Sequence, residues 1–270
     1  MAITAPRTGY APVNGLEMYY EVHGPATARP VVLLHGAFSA TETSFGAILP
    51  GLGKTHQVIS IEQQAHGRTA DIDRPLSIPG MAKDTGALLD HLGIKEADVL
   101  GYSMGAGVAF ELAIERPDLV RKLILVSLTY NKAGFHPGLM DGMGSMKPEQ
   151  MAGSPWHEEY LRTAPRPEDF PKLFEKVMEL NRNIPDWPAD AVSSIKSPTL
   201  IVIGDSDIVR PEHAVEMLRL RGGGVVGDWV GIPASQLAIL PGTAHSTIMQ
   251  RADLLLPMIG TFLDTPMPGA

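Results

Sequence analysis

Residues 97–117 constrain the fold of this chain more than any other stretch. Residues 97–100 form a short, largely apolar run, which predicts a buried strand. A G-x-S-x-G motif centred on Ser103 follows, and the apolar residues after it predict a helix that Pro117 ends. A strand that turns directly into a helix strains the backbone at the turn, so the turn needs small neighbours such as Gly101 and Gly105. We therefore expect the Ser103 hydroxyl to project above the sheet edge, beside the N-terminal amides of a helix.

The remaining apolar runs predict an α/β fold. A β-hairpin is predicted over residues 9–24, because an Asn-Gly pair is a strong turn signal. The other predicted strands are 31–36, 56–62, 120–127, 199–204 and 236–240, and the helices between and after them are 45–52, 81–92, 211–222 and 252–263. Alternating strands and helices predict a mostly parallel, eight-stranded sheet with helices on both faces, and the hairpin adds antiparallel strands at one edge.

Residues 132–196 interrupt this alternation. They contain five Met, eight Pro, Trp156 and Trp187, and no clear strand. The spacing of apolar residues between 170 and 178 predicts an amphipathic helix. We expect a core made of residues 1–131 and 197–270 and a helical cap made of residues 132–196. Such a cap either forms a second hydrophobic core or walls an apolar substrate site, and the two roles are compatible.

Composition excludes several classes of function. The net charge of −8 and the lack of Lys and Arg clusters disfavour binding to nucleic acid or to anionic membranes. The absence of cysteine rules out disulfides, thiolate catalysis and iron–sulfur clusters. The N-terminus lacks the apolar core of a signal peptide, and no run reaches about 18 apolar residues. We therefore expect a cytoplasmic protein.

Two later strands are followed by residues suited to activating Ser103. A serine hydroxyl is a poor nucleophile until a base removes its proton, and that base must be oriented by an acid. Asp205 and Asp207 follow the strand at 199–204, and His245 follows the last strand. The carboxyl ends of parallel strands share one edge of the sheet, which is where ligands bind in such folds. We therefore expect Ser103, His245 and one of the two carboxylates to meet there.

Together, five motifs resemble those of the α/β-hydrolase family in its capped form, and the resemblance spans the whole chain. They are the G-x-S-x-G motif and the segments at 35–36, 66–67, 204–207 and 242–246. The resemblance implies that Ser103 is the nucleophile, that His245 is the general base and then the general acid, and that Asp207 orients the imidazole. Asp205 remains the alternative acid, and its other role is to satisfy nearby backbone N–H groups in a turn.

The resemblance also assigns an oxyanion hole and a substrate wall. The amide of Met104, next to the nucleophile, and the amide of Ala37 are the expected oxyanion donors. Phe38 is expected to line the acyl pocket, and Trp187 in the helical segment is expected to contact substrate. His35 is expected to hold the oxyanion loop, and Glu62 to be a structural partner in the turn around His66. In that turn, residues 64–65 depart from the family pattern, which leaves the shape of the loop open.

The other histidines show no spacing typical of metal ligands, and no glycine-rich dinucleotide motif follows the first parallel strand. The sequence therefore predicts a hydrolase with no cofactor and no metal, acting on a small-molecule ester or lactone through an acyl-enzyme. This description covers carboxylesterases and N-acyl homoserine lactonases. The alternatives are a cofactor-free haloperoxidase or perhydrolase and a ligand-binding protein with little turnover. The sequence leaves open the oligomeric state and the role of the glycine-rich loop at 222–233.

Overall fold

The structure, a computed structural model, describes residues 5–267 of the 270-residue chain. Within that range eight strands form a single sheet. The strands are β1 (Arg7–Val13), β2 (Leu16–His23), β3 (Pro30–Leu34), β4 (Gln57–Ile61), β5 (Ala97–Tyr102), β6 (Val120–Val126), β7 (Thr199–Ser206) and β8 (Ser235–Ala244). They lie in the order β1-β2-β4-β3-β5-β6-β7-β8. The predicted eight-stranded sheet is thereby confirmed.

The sheet is parallel except at one edge. The pairs β1–β2 and β2–β4 are antiparallel, and the five other pairs are parallel. Asn14 and Gly15 join β1 to β2 with positive φ angles of 50° and 86°, as a tight hairpin turn requires. Because β3 to β8 run in one direction, their carboxyl ends lie along one edge, where the loops that carry the predicted site residues begin.

Helices cover both faces of the sheet. They are α1 (Thr41–Phe45), α2 (Leu49–Leu52), α3 (Ile78–His91), α4 (Met104–Glu115), α5 (Leu139–Gly144), α6 (Pro155–Thr163), α7 (Phe170–Arg182), α8 (Ala189–Ser194), α9 (Pro211–Leu220), α10 (Gly227–Val230) and α11 (Ala252–Asp264). Alternate residues of the central strands belong to two separate hydrophobic clusters, since successive strand residues face opposite sides. Helices α3, α4 and α9 pack on one cluster, and α2 and α11 pack on the other.

The two largest departures from the predicted bounds are in the helix after β3 and in the last strand. The single helix predicted at 45–52 is replaced by α1 and α2. Pro50 has no N–H to bond back to Gly46, and Gly46 and Gly51 are poor helix formers. The last strand extends beyond the predicted 240 to Ala244. β8 is an edge strand, and its register with β7 shifts between the pairs Gly204–Leu240 and Ser206–Ala244, so Pro241 lies in an irregular part of the ladder and does not end the strand.

The glycine-rich loop at 222–233 contains α10 and lies between α9 and β8. Trp229 lies in this loop, and a tryptophan there could pack on the surface of the protein. Trp229 is 84% exposed, so it makes no such packing in this structure. None of the helices within residues 5–267 is long and apolar enough to cross a membrane.

Residues 132–196 lie between β6 and β7 and contain the helices α5 to α8. We call this stretch the helical segment. That this segment forms a separate cap domain stays a prediction. Polar side chains nevertheless attach it to specific positions of the core. Glu159 of α6 is only 3% exposed, and its carboxylate accepts hydrogen bonds from the amides of Ala40, Glu42 and Thr43 at 3.0–3.3 Å. On a second side, Lys176 of α7 donates to Asp71 at 2.7 Å. The helical segment is thus fixed to the loops that follow β3 and β4.

The Glu159 contact yields a stability prediction. Glu159→Ala leaves the amides of Glu42 and Thr43 without their acceptor and the Ala40 amide with only a 3.3 Å bond to the Thr43 hydroxyl. We expect the free energy of unfolding to fall by about 1–3 kcal/mol. The matched control is Glu158→Ala, since the neighbouring side chain is 63% exposed and its loss should cost less than about 0.5 kcal/mol. Denaturant unfolding of both variants measures the difference. Equal stabilities for the two variants would contradict the anchoring role.

Candidate active site

Ser103 sits in a strained turn between β5 and α4. Its φ and ψ angles are 54° and −117°, a conformation that a residue with a side chain rarely adopts. A Cβ atom at Gly101 would overlap the carbonyl of Gly105, and one at Gly105 would overlap the carbonyl of Leu34. Both glycines are therefore required for α4 to approach the sheet this closely. The turn holds Ser103 at the carboxyl edge of the sheet, as the motif predicted.

The structure brings the three predicted catalytic residues into one hydrogen-bonded chain. Ser103 Oγ lies 3.0 Å from His245 Nε2, and His245 Nδ1 lies 2.8 Å from Asp207 Oδ1. The Tyr102 hydroxyl also donates to the backbone carbonyl of His245 at 2.8 Å, which fixes the start of the loop after β8. With Nδ1 donating to the carboxylate, Nε2 is free to accept the serine proton.

Asp207, and not Asp205, contacts the imidazole. Burial favours the neutral form of Asp207, but the hydrogen bond and charge of His245, followed by the hydrogen bonds from Ser127 and the Gly204 amide, hold its pKa below the usual range. Asp207 is therefore ionised at neutral pH, as an acid that stabilises an imidazolium must be. Asp205 instead accepts from the amides of Gly242 and Thr243 at 2.8 and 3.0 Å, which is the alternative turn role.

The two predicted oxyanion donors face the same cavity as Ser103. Met104 is the first residue of α4, so its amide has no partner within the helix. Ala37 follows β3 in the loop that precedes α1. Among residues 5–267, neither amide donates to another protein group. Two N–H groups beside a nucleophile can stabilise the negative oxygen that forms when a carbonyl is attacked.

His35 and Glu62 support the loop that carries Ala37. The His35 ring is fully buried and bridges the carbonyl of Gly36, at 2.8 Å, and the amide of Gln63, at 3.0 Å. Burial, with a smaller effect from His66, lowers the pKa of His35 to about 3, so the ring stays neutral. Glu62 accepts from the backbone amide and the guanidinium of Arg68 at 2.6 and 2.8 Å. The structure thus places both residues where a structural role was expected.

A cavity of about 650 Å³ opens beside Ser103. Both predicted substrate-contacting residues line it: Phe38 stacks on Phe174 with ring centroids 5.5 Å apart, and Trp187 donates to Glu111 at 2.6 Å. The cavity is also lined by six methionines, namely Met104, Met140, Met143, Met146, Met151 and Met178. Its only charged or titratable neighbours are Asp207, His245, His136 and Tyr102, and within the described residues no Lys or Arg lines it.

Sequence reasoning missed one polar residue of the site. Ser127 lies directly after β6 and donates to Asp207 Oδ2 at 2.5 Å. Its position at the carboxyl end of a central strand was a usable signal, because that edge is where the other site residues lie.

Comparison with known proteins agrees with this architecture. A family model described as the alpha/beta hydrolase fold matches residues 29–173, which is more than half of the chain. RutD of Azorhizobium caulinodans, whose name assigns it provisionally to carbamate hydrolysis, is 25% identical over 272 residues, with 93% of this chain and 96% of RutD covered. ABHD11 of Mus musculus, named an sn-1-specific diacylglycerol lipase, is 24% identical over 275 residues, which cover 91% of this chain and 84% of ABHD11.

Solved structures show the same fold at lower sequence identity. The enol-lactonase from Burkholderia xenovorans LB400 superposes with a TM-score of 0.70 at 19% identity, with 95% of this chain and all of that chain covered. A serine hydrolase involved in carbazole degradation, the CarC enzyme, superposes with a TM-score of 0.76 at 19% identity. The match covers 96% of this chain and 99% of CarC. The family match, the sheet topology and these likenesses lead to one conclusion. The chain belongs to the α/β-hydrolase family.

Proposed function

We propose that this protein is a serine hydrolase that cleaves carboxylic ester or lactone bonds through a covalent acyl-enzyme. The observation that carries the proposal is the hydrogen-bonded chain from Ser103 Oγ through His245 to Asp207, with distances of 3.0 and 2.8 Å. A serine, an imidazole and a buried carboxylate in this arrangement are the parts that acyl transfer requires.

In the acylation step, Ser103 Oγ attacks the carbonyl carbon of the substrate while His245 Nε2 takes the hydroxyl proton. The tetrahedral oxyanion that forms lies against the amides of Ala37 and Met104. When it collapses, the bond to the leaving alcohol breaks and His245 returns the proton to that oxygen. Asp207 stabilises the intervening imidazolium and keeps Nδ1 protonated. A lactone follows the same route, except that the alcohol stays attached to the acyl group.

In the deacylation step, water takes the place of the alcohol. His245 removes a proton from the water, whose oxygen attacks the ester carbonyl of the acyl-enzyme. The second oxyanion uses the same two amides, and its collapse releases the carboxylic acid and returns the proton to Ser103 Oγ. Both half-reactions use neutral imidazole as the base, so activity should rise as His245 loses its proton.

The cavity favours neutral, apolar substrates. Six methionines, Phe38 and Trp187 form much of its wall, and flexible methionine side chains adapt to groups of different shape. No lysine or arginine among the described residues lines it to pair with a substrate carboxylate. Moving an ionised carboxylate into such a cavity costs free energy that no partner there would return. We therefore propose an uncharged ester or lactone with a hydrophobic acyl or alcohol part.

The names of the relatives support hydrolysis at a carbonyl in general. They mention carbamates, diacylglycerol and an enol-lactone, whose shared feature is a carbonyl carbon that carries an oxygen leaving group. Which of these bonds this chain cleaves is therefore decided by its own cavity.

The first test is burst kinetics with p-nitrophenyl butyrate. The wild-type protein should release p-nitrophenol in a burst or in steady turnover, and Ser103→Ala should lower the rate at least ~10³-fold because the nucleophile is lost. Ser193→Ala, an exposed serine of the helical segment, is the control and should retain the wild-type rate. A wild-type protein with no turnover across acyl lengths would support the alternative of a ligand-binding protein and contradict the proposal.

The second test compares two esters that have acyl chains of the same length. p-Nitrophenyl hexanoate ends in a methyl group, whereas mono-p-nitrophenyl adipate ends in a carboxylate. Because the cavity offers the carboxylate no cation, we expect kcat/KM for the adipate ester to be at least ~10-fold lower, a difference that corresponds to 1.4 kcal/mol. Steady-state kinetics on the wild-type protein measures the ratio. Equal values for the two esters would refute the neutral-substrate proposal and leave the hydrolase proposal intact.

A further inference from the structure

Ser127 occupies an unusual backbone position at the active-site edge. It is the first residue after β6, and its φ angle is 58°, in the left-handed region that favours glycine. Its amide donates to the carbonyl of Val202 at 2.8 Å, and the residue is only 4% exposed. A serine held in this conformation carries a steric cost, which the surrounding structure must offset.

The Ser127 hydroxyl contacts the carboxylate that orients the imidazole. Asp207 Oδ2 accepts from Ser127 Oγ at 2.5 Å and from the Gly204 amide at 3.2 Å. The other oxygen, Oδ1, accepts from His245 Nδ1 at 2.8 Å and from the Val209 amide at 3.4 Å. Since an ionised carboxylate only accepts hydrogen bonds, the Ser127 hydroxyl is the donor. The shortest bond to each oxygen comes from a different side chain, so the two contacts together fix the rotation of the carboxylate.

We propose that Ser127 is a positioning residue for the catalytic acid: its hydroxyl holds Oδ2 of Asp207 so that Oδ1 stays aimed at His245 Nδ1. This inference rests on the proposed serine hydrolase mechanism. The left-handed conformation is part of the arrangement, because it directs a short side chain from the end of β6 toward the end of β7. Ser127 acts through Asp207 and takes no part in bond making or breaking.

Loss of the hydroxyl would have two effects. Oδ2 would keep only its longer bond to the Gly204 amide, so the carboxylate would be free to rotate away from the imidazole. The imidazolium of His245 would also lose part of its stabilisation, because the negative charge of the carboxylate would no longer be held against Nδ1. The titratable groups that face Asp207 are His245 and Tyr102. Burial and, to a lesser extent, the charge of Asp207 raise the pKa of Tyr102, so the phenol stays protonated at neutral pH.

The experiment uses three variants of the full chain with p-nitrophenyl hexanoate. Ser127→Ala and Ser127→Gly both remove the hydroxyl, but only glycine adopts the left-handed conformation without strain. We expect kcat to fall about 10-fold in both, as for other lost hydrogen bonds to a charged group, with KM changed less than about twofold. The acidic limb of the pH profile of kcat/KM should move to lower pH in both, because the imidazolium is less well stabilised.

Ser127→Asn is the rescue variant. Asparagine tolerates a positive φ angle, and its amide can donate to Asp207. We expect it to recover kcat to within about threefold of the wild-type value and to return the acidic limb toward its original pH. A glycine variant with wild-type kcat and an unshifted limb would overturn the inference, whatever the alanine variant does. Failure of the asparagine variant to exceed the alanine variant would also count against it.

A second readout does not depend on turnover. ¹⁵N-labelled histidine reports the protonation of His245 in the protein without substrate, with His245→Gln used to assign its signals among the nine histidines. We expect the ring to lose its proton at lower pH in Ser127→Gly than in the wild type, because the carboxylate is no longer held against Nδ1. An unchanged titration would overturn the positioning role. If the wild-type protein hydrolyses no ester but this shift is present, the hydrolase proposal fails and the contact between Ser127 and the pair stands.

Discussion

The close approach of α4 to the sheet is the constraint on which the site depends. With Gly105 packed against the Leu34 carbonyl and Gly101 against Gly105, no Cβ fits at either position. This approach forces Ser103 into its positive φ angle and leaves the Met104 amide at the start of α4. A bulkier residue at 101 or 105 would lift the helix from the sheet, and the hydroxyl and the amide would both move away from His245. Backbone packing, rather than side-chain chemistry, therefore sets the geometry of the nucleophile.

The order of the strands brings the rest of the site to Ser103. β5, β6, β7 and β8 are neighbours in the sheet, so the loops that hold Ser103, Ser127, Asp207 and His245 begin side by side. Ser103, Asp207 and His245 lie up to 142 positions apart in the chain, and yet hydrogen bonds link them directly. Glu159 and Lys176 hold the helical segment over the same edge, and its methionines complete the cavity. Precision at the reacting groups and adaptability at the substrate wall thus come from different parts of the chain.

Much of this arrangement could be predicted from the sequence, because it depends on signals that are local in the chain. The Asn14-Gly15 turn, the glycines around Ser103 and the apolar runs of the strands each act within a few residues, and the sheet was expected from them. The choice between Asp205 and Asp207 was different, since it required the family resemblance. Asp205 lies at the end of β7 and Asp207 directly after it, and only the fold shows that Asp205 reaches the Gly242 and Thr243 amides. For Ser127 the sequence offered only its position at the end of β6, and for Glu159 it offered no signal, because their partners lie 80 and 116–119 positions away.

The central claim is that the Ser103 hydroxyl is activated by His245 and becomes covalently acylated or phosphorylated. The most direct measurement is intact-protein and peptide mass spectrometry after incubation with diethyl p-nitrophenyl phosphate, which forms a stable adduct with an activated serine. This mechanism predicts one diethylphosphoryl group per chain, located at Ser103, and its absence in His245→Ala, where the base is missing. Labelling at another residue, or equal labelling of Ser103 in the wild type and in His245→Ala, would contradict it.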